Sequence, residues 1–408
     1  MFNVEEIRKD FPILSQTICG KPLVYLDNGA TTQIPTAVLD TINEQYTSFN
    51  GNVHRGIHYL SEQSTMRMEN AREIVSEFLN AKECGIIIFT SGATDSINLV
   101  AQSYLRDCLG VGDKVVTTEL EHHSNYVVWQ QLCLEKKAEF VVIPSNDGEL
   151  DLEYLDNYLD ERVKLLAVTA VSNVTGTVND LEYIIKRAHE YGIPVLVDAA
   201  QGMRHIKFDM ESIDCEFLCF SGHKMMAPSG TGVLYINNRL KDKMKPYRYG
   251  GGMVSEVSCK LTTFGTLPGM LEAGTPNISG NIALGTAIEY LKNIGLDDIR
   301  EYEELLINRL IELLSDNKKV HILGNPKKRA GAVSFYVDNV HPFDLATMLD
   351  KQGIAIRSGS HCAQPILTSF NQSVALRVSP AFYNTTYELE YFSETLDKMI
   401  DFFNSIGR

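Results

Sequence analysis

No two of the eight cysteines in this 408-residue chain form a CxxC pair, and their wide spacing does not resemble the disulfide framework of a small secreted domain. Cys215 and Cys219 have a ligand-like gap, but the surrounding EFLCF reads as a buried strand, so no metal site is expected there. Long apolar runs are missing too, and none approaches a membrane span. The first residues, MFNVEEIRKDFPIL, are acidic and too poor in apolar residues for a signal peptide, which makes the cytoplasm the expected location. Positive charge is scarce: 37 Lys and Arg face 52 Asp and Glu, a net charge of -15. That balance argues against a nucleic-acid or anionic-membrane surface, either of which needs clustered cations. Internal repeats and low-complexity tracts are absent.

What remains is an ordinary globular composition, 44% hydrophobic and 22% charged, in a chain long enough for two domains. Short β-branched runs at 85–89, 113–118, 139–143, 164–171 and 193–200 alternate with helical stretches such as 64–79 and 180–192. Continuous apolar strands between helices predict a mostly parallel sheet covered on both faces. Residues 240–280 are rich in Gly, Thr and Pro with little helical pattern, and a long helical region follows over 281–316. We therefore expect an α/β fold with a large domain over 16–285. A smaller α+β domain over 286–408 is expected to be joined by residues 1–15.

Three polar features stand at predicted strand ends. Lys224 follows Ser-Gly-His at the exit of an apolar strand in LCFSGHKMMAPSGTG. A lysine amine there can form a Schiff base with an aldehyde cofactor if burial or neighbouring charge lowers its pKa; the alternative is a solvated turn lysine. Asp198 closes the run VLVD, where it could hold a pyridine nitrogen protonated or simply cap a helix. FTSGATDSINLV passes from strand through a Gly turn into a helix, offering backbone amides and the hydroxyls of Ser91 and Thr94 to a phosphate. A fourth feature, Cys362, lies in RSGSHCAQP, a loop built from Gly, Ser and Pro that suits a reactive thiol better than a core filler.

YLDNGATTQIP, NVHRGIHYLS, SGATDSINLVA, TELEHHSNYVVW, VSNVTGT, VDAAQG, FSGHK, EAGTPN and SHCAQP occur in this order along nearly the whole chain. In order and spacing the sequence resembles the SufS-type cysteine desulfurases, fold-type I pyridoxal phosphate enzymes of the class V aminotransferase group. The resemblance implies pyridoxal 5'-phosphate as cofactor, with Lys224 as its covalent anchor and Asp198 at its ring nitrogen. His122 would stack on the ring, a role its neighbour His123 could be confused with. Asn173 would approach the ring hydroxyl and Gln201 a cofactor oxygen. Ala93, Thr94, Ser221 and His223 would hold the phosphate, and Thr275 would reach it from the second subunit of a homodimer. Arg377 would clamp the carboxylate of L-cysteine, assisted by Asn173 and supported by Arg357. His54 and Arg55 would shape the mouth, and Cys362 would carry the persulfide.

Independent charge logic favours an arginine here, since a carboxylate substrate entering an acidic protein needs a local bidentate cation. The resemblance further implies a SufU-like or SufE-like acceptor protein and a destination in iron-sulfur cluster assembly. HPFD, residues 341–344, resembles a segment used with zinc-binding acceptors, although a helix cap explains much of it. Selenocysteine lyase, another class V enzyme, or a noncatalytic scaffold in sulfur transfer are the rival readings. The chain departs from the usual family pattern at Gly29, at Ser360, after Lys224, and just before EAGTPN.

Overall fold

Seven apolar runs become the strands of one sheet: β1 (Gly85–Thr90), β2 (Lys114–Thr118), β3 (Glu139–Ile143), β4 (Val163–Thr169), β5 (Val195–Asp198), β6 (Phe217–Ser221) and β7 (Gly232–Asn237). Their spatial order is β1-β7-β6-β5-β4-β2-β3. This computed structural model describes residues 2–405; Met1 and residues 406–408, which fall in the terminal ranges expected above, lie outside the described residues.

Strands β1 to β6 share one direction, and β7 alone runs against both its neighbours. The reason is local. Only the short segment 222–231 joins β6 to β7, and its one helical element is the single 3-10 turn Gly222–Lys224, too little for a parallel crossover. The predicted mostly parallel sheet is therefore observed, with one reversed strand.

Alternate strand residues enter opposite faces. Val195, Val197, Leu218 and Phe220 join one hydrophobic cluster, and Leu196, Phe217 and Cys219 join the other. Cys215 and Cys219 thus belong to different clusters, and burial pushes both thiols up. Both faces are covered, which is why β5, β6 and β7 are buried at every position.

The helix Ile278–Ile294 packs against the helices Thr36–Ser48 and Tyr59–Phe78 on the large sheet's side of the molecule. It spans the division expected after residue 285. At Gly295, with φ near +105°, the chain turns into the helix Leu296–Ser315, which packs on Thr386–Ser405. Here lies a second, antiparallel sheet of β8 (Val320–Ile322), β9 (Val333–Val337), β10 (Arg357–Gly359) and β11 (Ala375–Val378), in the order β8-β9-β11-β10. Val24 and Leu26 enter its core, and Val24–Tyr25 pairs in parallel with Ile354–Ala355. Among the described residues no helix is long and apolar enough to cross a membrane.

A buried ionic knot fastens the two halves. Glu303 meets Arg204 at 2.5 Å and His205 at 2.6 Å, and accepts the Phe382 amide at 3.0 Å. Burial alone would raise this carboxyl, but Arg204 and His205 outweigh it and hold the pKa below its ordinary value. Removing the charge leaves Arg204 buried without its partner, a loss of about 3 kcal/mol. Glu303→Gln is thus expected to lower the thermal unfolding midpoint by several degrees, whereas Glu301→Gln on the exposed face of the same helix leaves it almost unmoved. Calorimetry of the two variants measures the difference.

Candidate active site

The carboxyl ends of β1, β2, β4, β5 and β6 open onto one cavity of about 590 Å³, closed on its far side by β10, β11 and the loop 360–363. Ligands of open α/β sheets collect at this edge. Lys224, Asp198, His122, Gln201, Asn173, Ala93, Thr94, Ser221, His223, Arg357, Cys362 and Arg377 all line it. Thr275 does not. It lies with His54 and Arg55 in a second cavity of about 630 Å³.

Lys224 ends the short turn Gly222–Lys224 that follows β6, its carbonyl held by Arg204 Nε at 3.1 Å. Desolvation lowers its amine to about 8, against the opposing pull of Asp198, while Arg377 and Arg357 push the same way as burial. Asp198 is buried at the end of β5 and accepts a hydrogen bond from the Ala200 amide at 2.9 Å, with its pKa raised by burial. Acceptor capacity remains for a donor inside the cavity.

The sequence left His122 and His123 hard to separate; the fold separates them. His122 lines the cavity, and its Nδ1 accepts from the Ser124 amide at 3.1 Å, which leaves the proton on Nε2. Burial, then the nearby Lys224 charge, drives its pKa down to about 3, so the ring is neutral. His123 serves the cysteine loop instead. Its backbone N–H donates to the Cys362 carbonyl at 2.7 Å, and its Nε2 accepts from the Gln364 amide at 3.3 Å.

At the start of the helix Ala93–Val100, the Ala93 amide donates to Ser221 Oγ at 2.9 Å, and Thr94 and Ser124 hydroxyls meet at 2.6 Å. A Cβ on Gly232 would come within 2.4 Å of Gly92 Cα, so this cup closes only with glycine there. Ser91, expected to contribute a hydroxyl, is not in the wall; its amide bonds Asp95 at 3.0 Å.

Opposite the lysine, Arg377 is buried at 2% exposure. It donates to the Asn173 carbonyl at 3.0 Å and to Asp27 at 3.3 Å, leaving Nε without a partner. Arg357 reaches the same Asp27 at 2.9 Å. Two guanidiniums share one carboxylate, so one positive charge is left for an incoming anion. Asp27 stands in the quoted YLDNGATT, yet sequence reasoning gave it no role. Its place directly after a short strand was the available signal. Ser124 and Phe343 were likewise missed, and Phe343 entered the wall from a helix distant in sequence.

Cys362 is exposed, and both it and His361 have φ near +50°. Such values are uncommon for side chains with a Cβ and mark a constrained loop. The neighbouring His361 turns its buried ring to the Ala375 carbonyl, to which it donates at 3.0 Å, and burial holds it neutral, its pKa down to about 3.

These residues fit pyridoxal phosphate. Lysine supplies an amine poised near neutral pH, Asp198 a ring-nitrogen acceptor, and the Ser221 cup a phosphate seat. Asn173 adds a buried Oδ1 without a donor, which a ring hydroxyl would satisfy.

The class V aminotransferase family model matches residues 24–392. A probable cysteine desulfurase of Halalkalibacterium halodurans is 42% identical over 405 residues, covering 99% of this chain and 100% of the relative. The solved cysteine desulfurase CsdA of Escherichia coli superposes with a TM-score of 0.91 at 35% identity, covering 98% of this chain and 99% of its own. The apo cysteine desulfurase of Thermococcus onnurineus gives 0.92 at 37%, covering 97% and 98%.

The amine at about 8 sets a pH dependence. Deprotonation favours attack on an aldehyde, so covalent capture of pyridoxal phosphate by apoprotein should quicken from pH 7 to 9 and level off above it. Asp198→Asn removes the attraction that holds the proton on and should move the midpoint to lower pH. Rapid-mixing absorbance, with borohydride trapping and peptide mapping to Lys224, reads both.

Proposed function

The chain belongs to the class V aminotransferase family, among its cysteine desulfurases, and on that premise we propose how its own residues carry the reaction. It is a pyridoxal phosphate-dependent enzyme that converts L-cysteine to L-alanine and leaves a persulfide on the protein. The observation that carries our reading is the joint lining of one cavity by Lys224, Asp198, Arg377 and the exposed Cys362.

Lys224 would anchor the cofactor, Asp198 would receive its ring nitrogen, His122 would serve the ring, and Gln201 and Asn173 its oxygens. Ala93, Thr94, Ser221 and His223 would receive the phosphate. When bound, the cofactor holds the substrate amine and accepts electron density from the α-carbon. Arg377, with Arg357 sharing Asp27, binds the substrate carboxylate and fixes the molecule's orientation. Lys224, once its amine is free, moves the α-proton. The Cys362 thiolate attacks the substrate sulfur; an S–S bond forms as the Cβ–S bond breaks. Protonation of the remaining carbon skeleton gives alanine, so thiol and cysteine become persulfide and alanine without an outside oxidant or reductant.

We further propose a homodimer whose active sites are composite. Thr275, His54 and Arg55 line a cavity apart from their own Lys224, as expected of groups that serve a neighbour. Ile57 is 97% exposed, and Tyr249, Val257 and Leu261 are exposed large apolar side chains on the loop and hairpin nearby in sequence to Thr275. We also propose a large domain over 16–285 and a smaller one over 286–408 joined by residues 1–15; the packing of the whole helix Ile278–Ile294 on Thr36–Ser48 and Tyr59–Phe78 supports carrying the division on to Gly295. Sulfur leaves Cys362 for a SufU-like or SufE-like acceptor in iron-sulfur cluster assembly. The exposed Cys362, the half-exposed Phe343 in the cavity wall and the exposed His341 stacked on Phe343 support an acceptor approaching from this side. His341 caps the helix Pro342–Asp350, its ring accepting from the Phe343 amide.

Cys362→Ala is expected to keep the cofactor absorbance and L-cysteine binding while alanine formation falls at least about a hundredfold. No persulfide should map to any other cysteine. Undiminished alanine production in this variant would overturn the assignment.

A further inference from the structure

A cleft of about 670 Å³ lies where the loop 324–331, GNPKKRAG, faces the helix Leu296–Ser315. It belongs to no part of the site above. Its floor is apolar, with Ile206, Ile307, Ile311 and Ile322, and one rim carries Lys327, Lys328 and Arg329. Among the described residues no carboxylate pairs with any of these three cations, in a chain whose net charge is -15. Glu304 stands on the opposite rim, and Glu303 is already neutralised by Arg204. Arg329 uses its guanidinium on two backbone carbonyls, those of Thr175 and Gly324. A guanidinium has five N–H donors, so capacity remains. Burial lowers its pKa to about 10, against the weaker opposing pull of Asp147, with which it forms no ion pair.

The loop is built rather than slack. Gly324 and Gly331 both have φ near +70°, and a Cβ on Gly331 would come within 2.5 Å of the buried His205 ring. That ring's Nε2 is buried without a hydrogen-bond partner, and His205 is one of the residues lining the cleft. Lys328 and Ala330 pair through their backbones with Val178 and Gly176 at 3.0 and 2.8 Å. The loop therefore presses directly on the segment 171–178, whose other end lines the catalytic cavity. Asn173 in that segment holds Arg377 through its carbonyl and the His361 carbonyl through its side chain.

We propose that this cleft binds a small organic polyanion, a phosphate ester or polycarboxylate with an apolar body, and that its occupancy tunes substrate binding through residues 173–178. The volume suits a metabolite-sized ligand, the isoleucine floor takes its body, and the lysine–arginine rim takes its charge. An anion on the free N–H groups of Arg329 draws on the same guanidinium that holds the Thr175 carbonyl. Thr175 is two residues from Asn173, so the carboxylate clamp and the cysteine loop feel the change.

Calorimetric titration of holoenzyme, whose cofactor phosphate seat is filled, tests the site with adenosine 5'-monophosphate and citrate in separate arms. We expect at least one to bind saturably at about 1 mM or tighter, with affinity falling as salt rises. The exposed pair Lys327→Ala/Lys328→Ala should weaken that binding about tenfold or more with cofactor absorbance intact. Lys327→Gln alone gives the same direction should the double variant fail to fold. Absence of binding by both anions at about 10 mM, or equal binding by the variants, overturns the site. Bound anion should also shift KM for L-cysteine in wild type but not in the double variant. An unchanged KM with binding established overturns the coupling. The heat signal does not depend on desulfurase activity, so either failure is distinct from failure of the proposed reaction.

Discussion

Asp27 is the carboxylate on which the catalytic cavity's far wall depends. It follows the short strand Val24–Tyr25, bridges to Ser379 beside β11, and receives both Arg377 and Arg357. One negative charge thus binds the N-terminal segment to β10 and β11. A guanidinium as buried as Arg377 is costly unless paired. Asp27 compensates only one of the two, and burial keeps the Arg377 pKa below its ordinary value despite that partner. The fold therefore leaves this ion set short by one negative charge, and that shortfall supports the proposed binding of a substrate carboxylate at Arg377. The wall is closely fitted, since a Cβ at Gly29 would lie 3.2 Å from the Arg377 guanidinium carbon.

Much of this was legible in the residue order. Polar residues that follow continuous apolar runs mark the carboxyl edge of a parallel sheet, and Asp198 and Lys224 stood out on that ground, with a helix cap and a solvated turn lysine still open as alternatives. The cysteine's exposure followed from a loop of Gly, Ser and Pro. Other features depend on contacts between distant segments and left weaker traces. The reversed direction of β7 follows from connection length, which needs the strand to be recognised first. Asp27 braces the wall's arginines from the first thirty residues and Phe343 enters the wall from a later helix, so only tertiary pairing reveals them. The change of packing at Gly295 was blurred because the helices on either side are nearly continuous in sequence.

The pair His122 and His123 shows why adjacency in sequence conceals a division of labour. Nδ1 of the first is tied to Ser124, which turns its ring into the cavity as a neutral face. The second grips Cys362 and Gln364 from the other side of the backbone. Glu121, just before them, is fully buried and accepts from Thr118, Asn125 and the Thr169 amide. That network fixes the backbone of both histidines against β2 and β4. Burial raises the Glu121 carboxyl to about 8, so its hydrogen bonds do more to place these rings than its charge does.

What the fold supplies to Cys362 is position. His361 contributes no positive charge, because its ring is neutral and turned to the Ala375 carbonyl. Two consecutive left-handed residues cost on the order of 1 kcal/mol each and persist only where neighbours hold them. Those neighbours are Asn173, bonded to the His361 carbonyl, and His123, bonded to the Cys362 carbonyl. Asn173 also holds Arg377, and His123 adjoins His122. Asn173 thus ties Arg377 through its backbone carbonyl and the cysteine loop through its side-chain amide, so a single residue fixes where the thiol stands relative to the guanidinium.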